Sequence, residues 1–407
     1  MNSKALVRRL HVENILLQSS NKEEFSDLGT IDEIEAINKL DLPLTDDFRS
    51  MVLENRPLID VRASVEFLKG SFPTAVNLPL MNDKERHLIG IRYKEQGNAS
   101  AVQLGKELVE PVKHERVQAW VEFVKQHPNA YLYCFRGGQR SQISQAWLQE
   151  VGITIPRLKG GYKAFRAFLM QESEKITKAS NTLIIGGRTG SGKTILLQKL
   201  SNSIDLEGLA NHRGSSFGNF ISAQPAQIDF EDALGFALIK HAEQNHQHIV
   251  IEDESRNIGK INIPKPLYDN FRKGKLILLH TPMKERVEIT FQEYVSDALK
   301  HYKTCYGDES EKMWFNDASQ GLERIKKRLG LERYSMITIA FSEAFLEQER
   351  TGKLEQHKGW IEILLREYYD PMYDYQIEKG DMPIAFEGNY AEVLEYLKKI
   401  EPNHFDG

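Results

Sequence analysis

The run Gly187-Arg188-Thr189-Gly190-Ser191-Gly192-Lys193-Thr194 constrains this chain more than any other segment. It matches G-x4-G-K-[ST] in full, follows the apolar stretch Thr182–Ile185 and precedes a helical stretch, Thr194–Leu200. In that strand–loop–helix setting the backbone N–H groups wrap a diphosphate, the lysine neutralises it and the threonine hydroxyl reaches Mg²⁺. The pattern predicts an α/β half with a parallel sheet. It identifies a polyphosphate site without saying that a nucleotide is hydrolysed. A later apolar strand, Ile249-Val250-Ile251, ends in Glu252-Asp253-Glu254. Asp253 or Glu252 is the candidate for the metal's water shell, with an exposed acidic strand end as an equal alternative.

A second strand–loop–helix stands upstream: Tyr131-Leu132-Tyr133-Cys134-Phe135-Arg136-Gly137-Gly138-Gln139-Arg140-Ser141. A cysteine leaves the C-terminal end of a strand, the edge at which open α/β sheets bind ligands. Gly137 and Gly138 let the N–H groups of the loop, with Gln139 and Ser141, turn inward as an anion nest. The helix N-terminus adds partial positive charge, and Arg136 and Arg140 add full charges. Such surroundings favour thiolate over thiol and make Cys134 a candidate nucleophile. The alternative is a buried structural cysteine beside a tight turn.

The chain has 407 residues, 41% apolar and 27% charged, and suits two or three soluble domains. Residues 1–45 read as an N-terminal extension. A βα rhythm predicts a first domain over 46–171, a polar linker over 172–181, a phosphate-loop domain over 182–282, and a helical C-terminal region over 283–407. That last region closes with a strand at Pro383–Phe386 and a helix at Tyr390–Ile400. Two cysteines, Cys134 and Cys305, make no disulfide framework, and neither they nor the 12 histidines show metal-ligand spacing. No metal tightly bound by His or Cys is expected. A net charge of -5 means that any nucleic acid must meet a local basic face. No stretch approaches membrane-spanning length and no secretory signal is present, so a cytoplasmic protein without membrane or DNA partners is expected.

Weaker signals complete the reading. Asp205–Gly218 is polar and Gly-rich, a candidate substrate loop through His212, Arg213, Ser215 and Ser216, or else a plain surface loop. Arg324, Lys326, Lys327 and Arg328 cluster on a helix and are candidates for RNA phosphate contact, although a solvated face is the commoner account. Arg86, His87, Arg92 and Lys94 form another basic stretch. Tyr368, Tyr369, Tyr373 and Tyr375 could stack on bases or pack between helices.

From Phe48 to Leu169 the chain resembles the rhodanese family. The resemblance rests on the cysteine loop, Leu58-Ile59-Asp60-Val61-Arg62, Gly70-Ser71-Phe72-Pro73-Thr74-Ala75-Val76-Asn77-Leu78-Pro79 and Gly160-Gly161-Tyr162. It implies that Asp60 and Arg62 hold the fold. Arg140 stands six residues after Cys134, where many small rhodaneses place the arginine at five. The longer loop makes a nest wide enough for a tetrahedral phosphorus group, which suits selenophosphate as donor.

A cysteine-loop domain followed by a phosphate-loop domain, with Leu206–Gly218, Ile251–Gly259 and Tyr368–Tyr375, looks like the tRNA 2-selenouridine synthase family over Phe48–Leu397. The resemblance implies a rhodanese-like parallel-sheet domain, then a P-loop NTPase-like α/β domain with a helical C-terminal part. It implies a transferase acting on wobble 2-thiouridine in a tRNA anticodon stem-loop. Geranyl diphosphate would supply an S-geranyl group, with Lys193 and Mg²⁺ as cofactor stabilising the departing diphosphate, and selenophosphate would supply the selenium that replaces it, handled at Cys134. A selenophosphate-supplying enzyme is a candidate partner. Two other readings stay open on the residues alone: a cysteine phosphatase on the rhodanese fold, from the Cys-x5-Arg spacing, and a nucleotide-gated persulfide carrier. A phosphate-loop kinase with an inert cysteine module is a weaker third.

Overall fold

The computed structural model describes Ile37 and residues 40–215 and 221–401. Its elements run in chain order as follows. Strand β1 (Leu44–Thr45), α1 (Phe48–Leu53), β2 (Leu58–Asp60), α2 (Ser64–Phe67), β3 (Ala75–Asn77), α3 (Asp83–Val109), α4 (Lys113–Gln126), β4 (Tyr131–Tyr133), α5 (Gln139–Glu150), β5 (Arg157–Leu158) and α6 (Gly161–Ala179) come first. Then follow β6 (Asn181–Gly186), α7 (Lys193–Leu197), α8 (Leu206–Ala210), α9 (Gln227–Glu243), β7 (His248–Glu252), the β8–β9 hairpin (Asn257–Ile258, Ile261–Asn262), α10 (Lys265–Phe271) and β10 (Lys275–Leu279). The chain continues through α11 (Met283–Phe291), α12 (Asp297–Tyr306), α13 (Ser310–Leu329), α14 (Leu331–Thr351), α15 (His357–Leu364) and α16 (Asp370–Lys379) to β11 (Ile384–Gly388) and α17 (Tyr390–Ile400).

Two compact units emerge, one of residues 1–173 with 226–240, the other of 174–225 with 241–407. In the first, a five-stranded parallel sheet has the order β1-β5-β4-β2-β3. β2 and β4 are central and short, and apolar Leu58, Ile59 and Leu132 are fully buried, as a parallel sheet covered on both faces requires. Asp60 survives burial there because Arg62 Nε and Nη2 bind its carboxylate at 2.6–3.0 Å and Nη2 also donates to Gly70 O at 2.8 Å. The Arg62 guanidinium lies 3.9 Å from the centre of the Tyr162 ring. This pair holds the fold, as the resemblance implied.

Three differences from the expected layout have physical causes. The edge strand β1, which pairs with β5, lies inside the segment read as an extension; two residues carry no periodicity to read. Residues 1–36, 38 and 39 of that segment lie outside the described residues. The stretch 172–179, read as a linker, continues α6, with Ser173, Ile176 and Thr177 buried. Helix α9, sequentially within the second half, has residues 227–240 in the first unit. There Asp229 accepts from Ser71 N at 2.8 Å and Asp232 from Arg166 Nη1 at 2.7 Å.

In the second unit a parallel sheet has the order β11-β10-β6-β7. Strand β6 is central and carries the phosphate loop at its C-terminal end. Its core joins Leu183, Ile185, Leu197, Ile277 and Leu279 to Val393 and Leu397 of α17. The helical region has its own apolar core, with Trp314, Phe341, Trp360 and Leu364 at its centre. Tyr368 and Tyr369 are buried in it, whereas Tyr375 is exposed. Among the described residues no helix is long and apolar enough to cross a membrane.

Candidate active site

The cysteine loop leaves β4 and enters α5. Cys134 is buried, 3% exposed, with its Sγ 3.3 Å from Ser141 Oγ. The Ser141 hydroxyl donates to Gly138 O at 2.9 Å. Among the described residues no acceptor takes the backbone N–H groups of Phe135 to Arg140. Unpaired donors running into a helix N-terminus form an anion nest. The loop's carbonyls are held from behind: Tyr162 N donates to Cys134 O at 2.9 Å and Lys163 N to Phe135 O at 3.0 Å. Gly161 makes this possible. Its φ is +59° and a Cβ there would stand 2.3 Å from Cys134 O.

The charges are distributed differently from the sequence reading. Arg140 does not stand free over the nest: its Nη1 and Nη2 bind Glu66 at 2.6 and 3.3 Å, and Arg86 Nε lies 3.1 Å from the same carboxylate. Burial alone would raise Glu66, but the Arg140 hydrogen bond and both arginine charges hold it below the usual carboxylate range. Arg136 is exposed beside the Phe135 ring. The buried cation of the loop is Arg157 of β5, which sequence reading missed; its Nη1 donates to Gly137 O at 2.6 Å. Burial lowers its pKa, and the neighbouring Cys134 opposes that shift.

The phosphate loop forms the floor of a cavity of about 550 Å³ in the second unit, lined by Gly187, Thr189, Gly190, Ser191, Gly192, Lys193 and Thr194. Lys193 Nζ donates to Gly187 O at 2.9 Å. Gly190, at φ +75°, passes so close to α11 that a Cβ would meet Thr290 Oγ1 at 2.3 Å. Buried Arg286 anchors the loop by donating from Nε to Thr189 O at 3.0 Å while its other nitrogens grip Asp370 at 2.6 and 3.0 Å. Arg188 reaches outward to Asp374 at 2.6 Å.

Opposite Lys193 stand Glu207 at the start of α8 and Glu254 beyond β7. Both carboxylates crowd Gly214, where a Cβ would lie 2.3 Å from Glu207 Oε1 and 2.6 Å from Glu254 Oε1. Burial, then the negative charge of Glu254, pushes Glu207 up to about 9. Burial, partly offset by the Glu207 hydrogen bond and Lys193, leaves Glu254 at about 7. The pair therefore keeps a shared proton at neutral pH. Of the two acids singled out from sequence, Asp253 lines the cavity while bound to Arg272 at 2.6 Å. Glu252 does not line it: its Oε2 accepts from Leu206 N at 3.3 Å, under α8, and burial pushes it well above the carboxylate range. Hard oxygen donors facing a phosphate cradle suit Mg²⁺, which needs only one or two carboxylates beside its phosphates. Among the described residues no three His, Cys, Asp or Glu side chains converge as a metal cage.

The candidate substrate loop is partly core. His212 is buried, accepting from Gly214 N at 3.1 Å on Nδ1, so its proton sits on Nε2. Ser215 Oγ is 2.7 Å from Tyr294 OH, and Arg213 lies over the Tyr294 ring. All three line the phosphate cavity; Ser216 lies outside the described residues. Arg324, Lys327 and Arg328 are exposed near the C-terminus of α13, where positive charge also suits the helix dipole. Lys326 is tied to Glu323 at 2.9 Å.

Comparison with known proteins accounts for both halves. A family model described as the tRNA 2-selenouridine synthase AAA domain matches residues 180–403, and a rhodanese-like domain model matches 44–168. A tRNA 2-selenouridine synthase of Sulfurovum sp. (strain NBC37-1) is 56% identical over 360 residues, covering 88% of this chain and 99% of that protein. Those of Hydrogenovibrio crunogenus and Marinobacter nauticus are 48% and 47% identical, each over 88% of this chain and at least 98% of theirs. With a buried cysteine under a nest, a phosphate cradle, and relatives matched almost end to end, the chain belongs to the tRNA 2-selenouridine synthase family.

Proposed function

We propose that the protein converts wobble 2-thiouridine in a tRNA anticodon stem-loop to 2-selenouridine, through an S-geranyl intermediate made from geranyl diphosphate, with selenophosphate as selenium donor. The carrying observation is the presence in one chain of two anion cradles, one holding a cysteine and the other facing a lysine and a carboxylate pair. A tRNA substrate fits a cytoplasmic enzyme, served by an enzyme that makes selenophosphate.

In the first half the thiouridine sulfur attacks the geranyl carbon bound to diphosphate. The C–O bond breaks as the S–C bond forms, diphosphate departs, and the N3–H proton is lost. The phosphate loop and Lys193 hold the leaving diphosphate. Mg²⁺, which Thr194 and Asp253 would hold, would screen its charge. Glu254 is suited to take the N3 proton, because a base titrating near the working pH transfers protons most effectively. In the second half the selenium of selenophosphate, held in the Cys134 loop, attacks the ring carbon; the alkylated sulfur leaves as a geranyl thiolate that is protonated, and water cleaves the P–Se bond to release phosphate. A free thiocarbonyl sulfur is a poorer leaving group.

The phosphatase reading loses support from Arg140, whose guanidinium is committed to Glu66. Mass analysis of wobble nucleosides tests the proposal. The full chain, thiolated tRNA, geranyl diphosphate, Mg²⁺ and selenophosphate should yield 2-selenouridine, and withholding selenophosphate should leave the S-geranyl nucleoside. Selenouridine formed without any geranyl donor would refute the two-step route. A persulfide carrier would yield neither product.

A further inference from the structure

The first unit contains a second cavity, of about 720 Å³, that neither half-reaction as described requires. Its walls are α3 and α5. Helix α3 is bent into two arms at Gly97, where φ is +80°. Of its 27 residues only Ala101 and Val109 are buried. Leu88, Ile91 and Tyr93 are 48%, 40% and 58% exposed. By contrast the 12-residue α5 buries half its length. The arms of α3 thus face α5 without filling the space between them. Ile89, Val102, Val109, Ile143 and Trp147 line that space, a mainly apolar surface of the size that takes a small organic ligand.

Two features say what kind of ligand. One end of the cavity is the cysteine loop itself, since Arg136, Gln139 and Arg140 line it. Trp147 and Val109 belong to the same apolar cluster as Cys134. The charged lining is cationic in excess: Arg86, Lys94, Lys106, Arg136 and Arg140 stand against Glu66 and Glu110, and Glu66 is paired with Arg86 and Arg140. An apolar interior with a basic rim fits a hydrocarbon chain joined to a polyanion. Solvent-exposed apolar side chains on α3 are consistent with a surface that a ligand covers.

We propose that this cavity binds the acyclic terpenoid chain of the S-alkylated wobble base, with the RNA phosphates on the basic rim, so that the ring carbon is presented to the Cys134 loop. The proposal rests on the two-step reading above and gives the intermediate its own site in the cysteine-bearing unit. Burial of each methylene is worth about 0.8 kcal/mol, or roughly fourfold in affinity. The chain then serves as a handle that selects the alkylated base over the unalkylated one.

The test uses the full chain and anticodon stem-loop RNAs carrying 2-thiouridine, S-methyl or S-geranyl groups. The expected result is binding of S-geranyl RNA at least tenfold tighter than S-methyl RNA. Substituting Val102→Trp together with Ile143→Trp, which fills the cavity, should reduce that preference to about one. It should also slow selenium incorporation into S-geranyl RNA, with geranylation of 2-thiouridine RNA retained. Equal affinity for the S-methyl and S-geranyl RNAs in the unsubstituted chain overturns the proposal, as does a preference that survives filling.

Should the filled variant fail to fold, photo-crosslinking of the unsubstituted chain decides. An RNA with a photoreactive S-terpenoid chain should label peptides within 80–110 or 139–147. Labelling confined to the second unit overturns the proposal. A photoreactive geranyl diphosphate analogue that labels the same peptides as strongly without RNA would assign the cavity to the free donor and overturn it too. Wild-type formation of both nucleosides is measured alongside, so that failure of the reaction scheme is seen separately from failure of the cavity.

Discussion

Arg157 Nη1 donates to the carbonyl oxygen of Gly137 at 2.6 Å, which places a buried guanidinium directly beneath the cysteine loop. It ties up the Gly137 carbonyl, leaving the neighbouring N–H groups to form the nest. A hydrogen bond to a charged group contributes about 1.5–3 kcal/mol. Arg157→Leu should lower stability by about that amount in denaturant unfolding. It should also reduce selenium incorporation well beyond S-geranyl formation. Equal losses in both half-reactions would show that Arg157 acts only through general stability.

Cys134→Ser and Lys193→Ala should separate the two halves. The serine variant should accumulate S-geranyl nucleoside with no selenium product. The alanine variant should lose at least about a hundredfold in geranylation, the scale of removing one preorganised group that stabilises developing charge. It should still convert RNA geranylated beforehand. If Lys193→Ala retained full geranylation and lost only selenation, the assignment of halves to units would be reversed.

Arg286 binds Asp370 with two nitrogens and Thr189 O with a third, and it is 3% exposed. Removing one partner of such a buried pair strands the other charge, at a cost of about 3–5 kcal/mol. Arg286→Met should show this in urea unfolding and should weaken diphosphate binding measured by calorimetry. Unchanged diphosphate affinity in a folded variant would mean that the phosphate loop keeps its shape without this anchor.

Glu207 and Glu254 give the second unit a definite pH signature. Their folded values, about 9 and about 7, lie above the unfolded carboxylate value of 4.5. The folded state therefore holds these protons more tightly than the unfolded chain. Their stabilising contribution is complete below pH 4.5 and declines as pH rises through about 7 and then about 9. Melting temperature between pH 5 and 9 should fall less steeply in Glu207→Gln than in the unsubstituted chain. Geranylation should rise through pH 7 as Glu254 becomes available as a base, and Glu254→Gln should remove that rise.

Both loops were legible because each is a local object: an apolar strand, glycines and a helix start within about a dozen residues. What stayed hidden was assembled from afar. Arg157 reaches the cysteine loop only because β5 lies beside β4, and nothing in Pro156-Arg157-Leu158 signals that pairing. Glu66 captures Arg140 across 74 residues, which turned an expected free charge into a paired one. Glu207 and Glu254 meet where α8 and the end of β7 approach Gly214, a juxtaposition that the sequence does not signal as it does the acidic strand end Glu252-Asp253. The α3 cavity left no trace in periodicity, since a half-exposed amphipathic arm reads like any solvated helix.

Residues 226–240 have a consequence for how this polypeptide matures on the ribosome. The cysteine-bearing unit lacks a helix until synthesis has passed well beyond the phosphate loop, so it cannot be complete when residue 173 emerges. Truncation at that point would omit the carboxylates that satisfy Ser71 and Arg166 and bare the flank that Ile228 and Gly235 cover. The two units are therefore interleaved along the polypeptide, and a cut between residues 173 and 174 does not release the first of them whole.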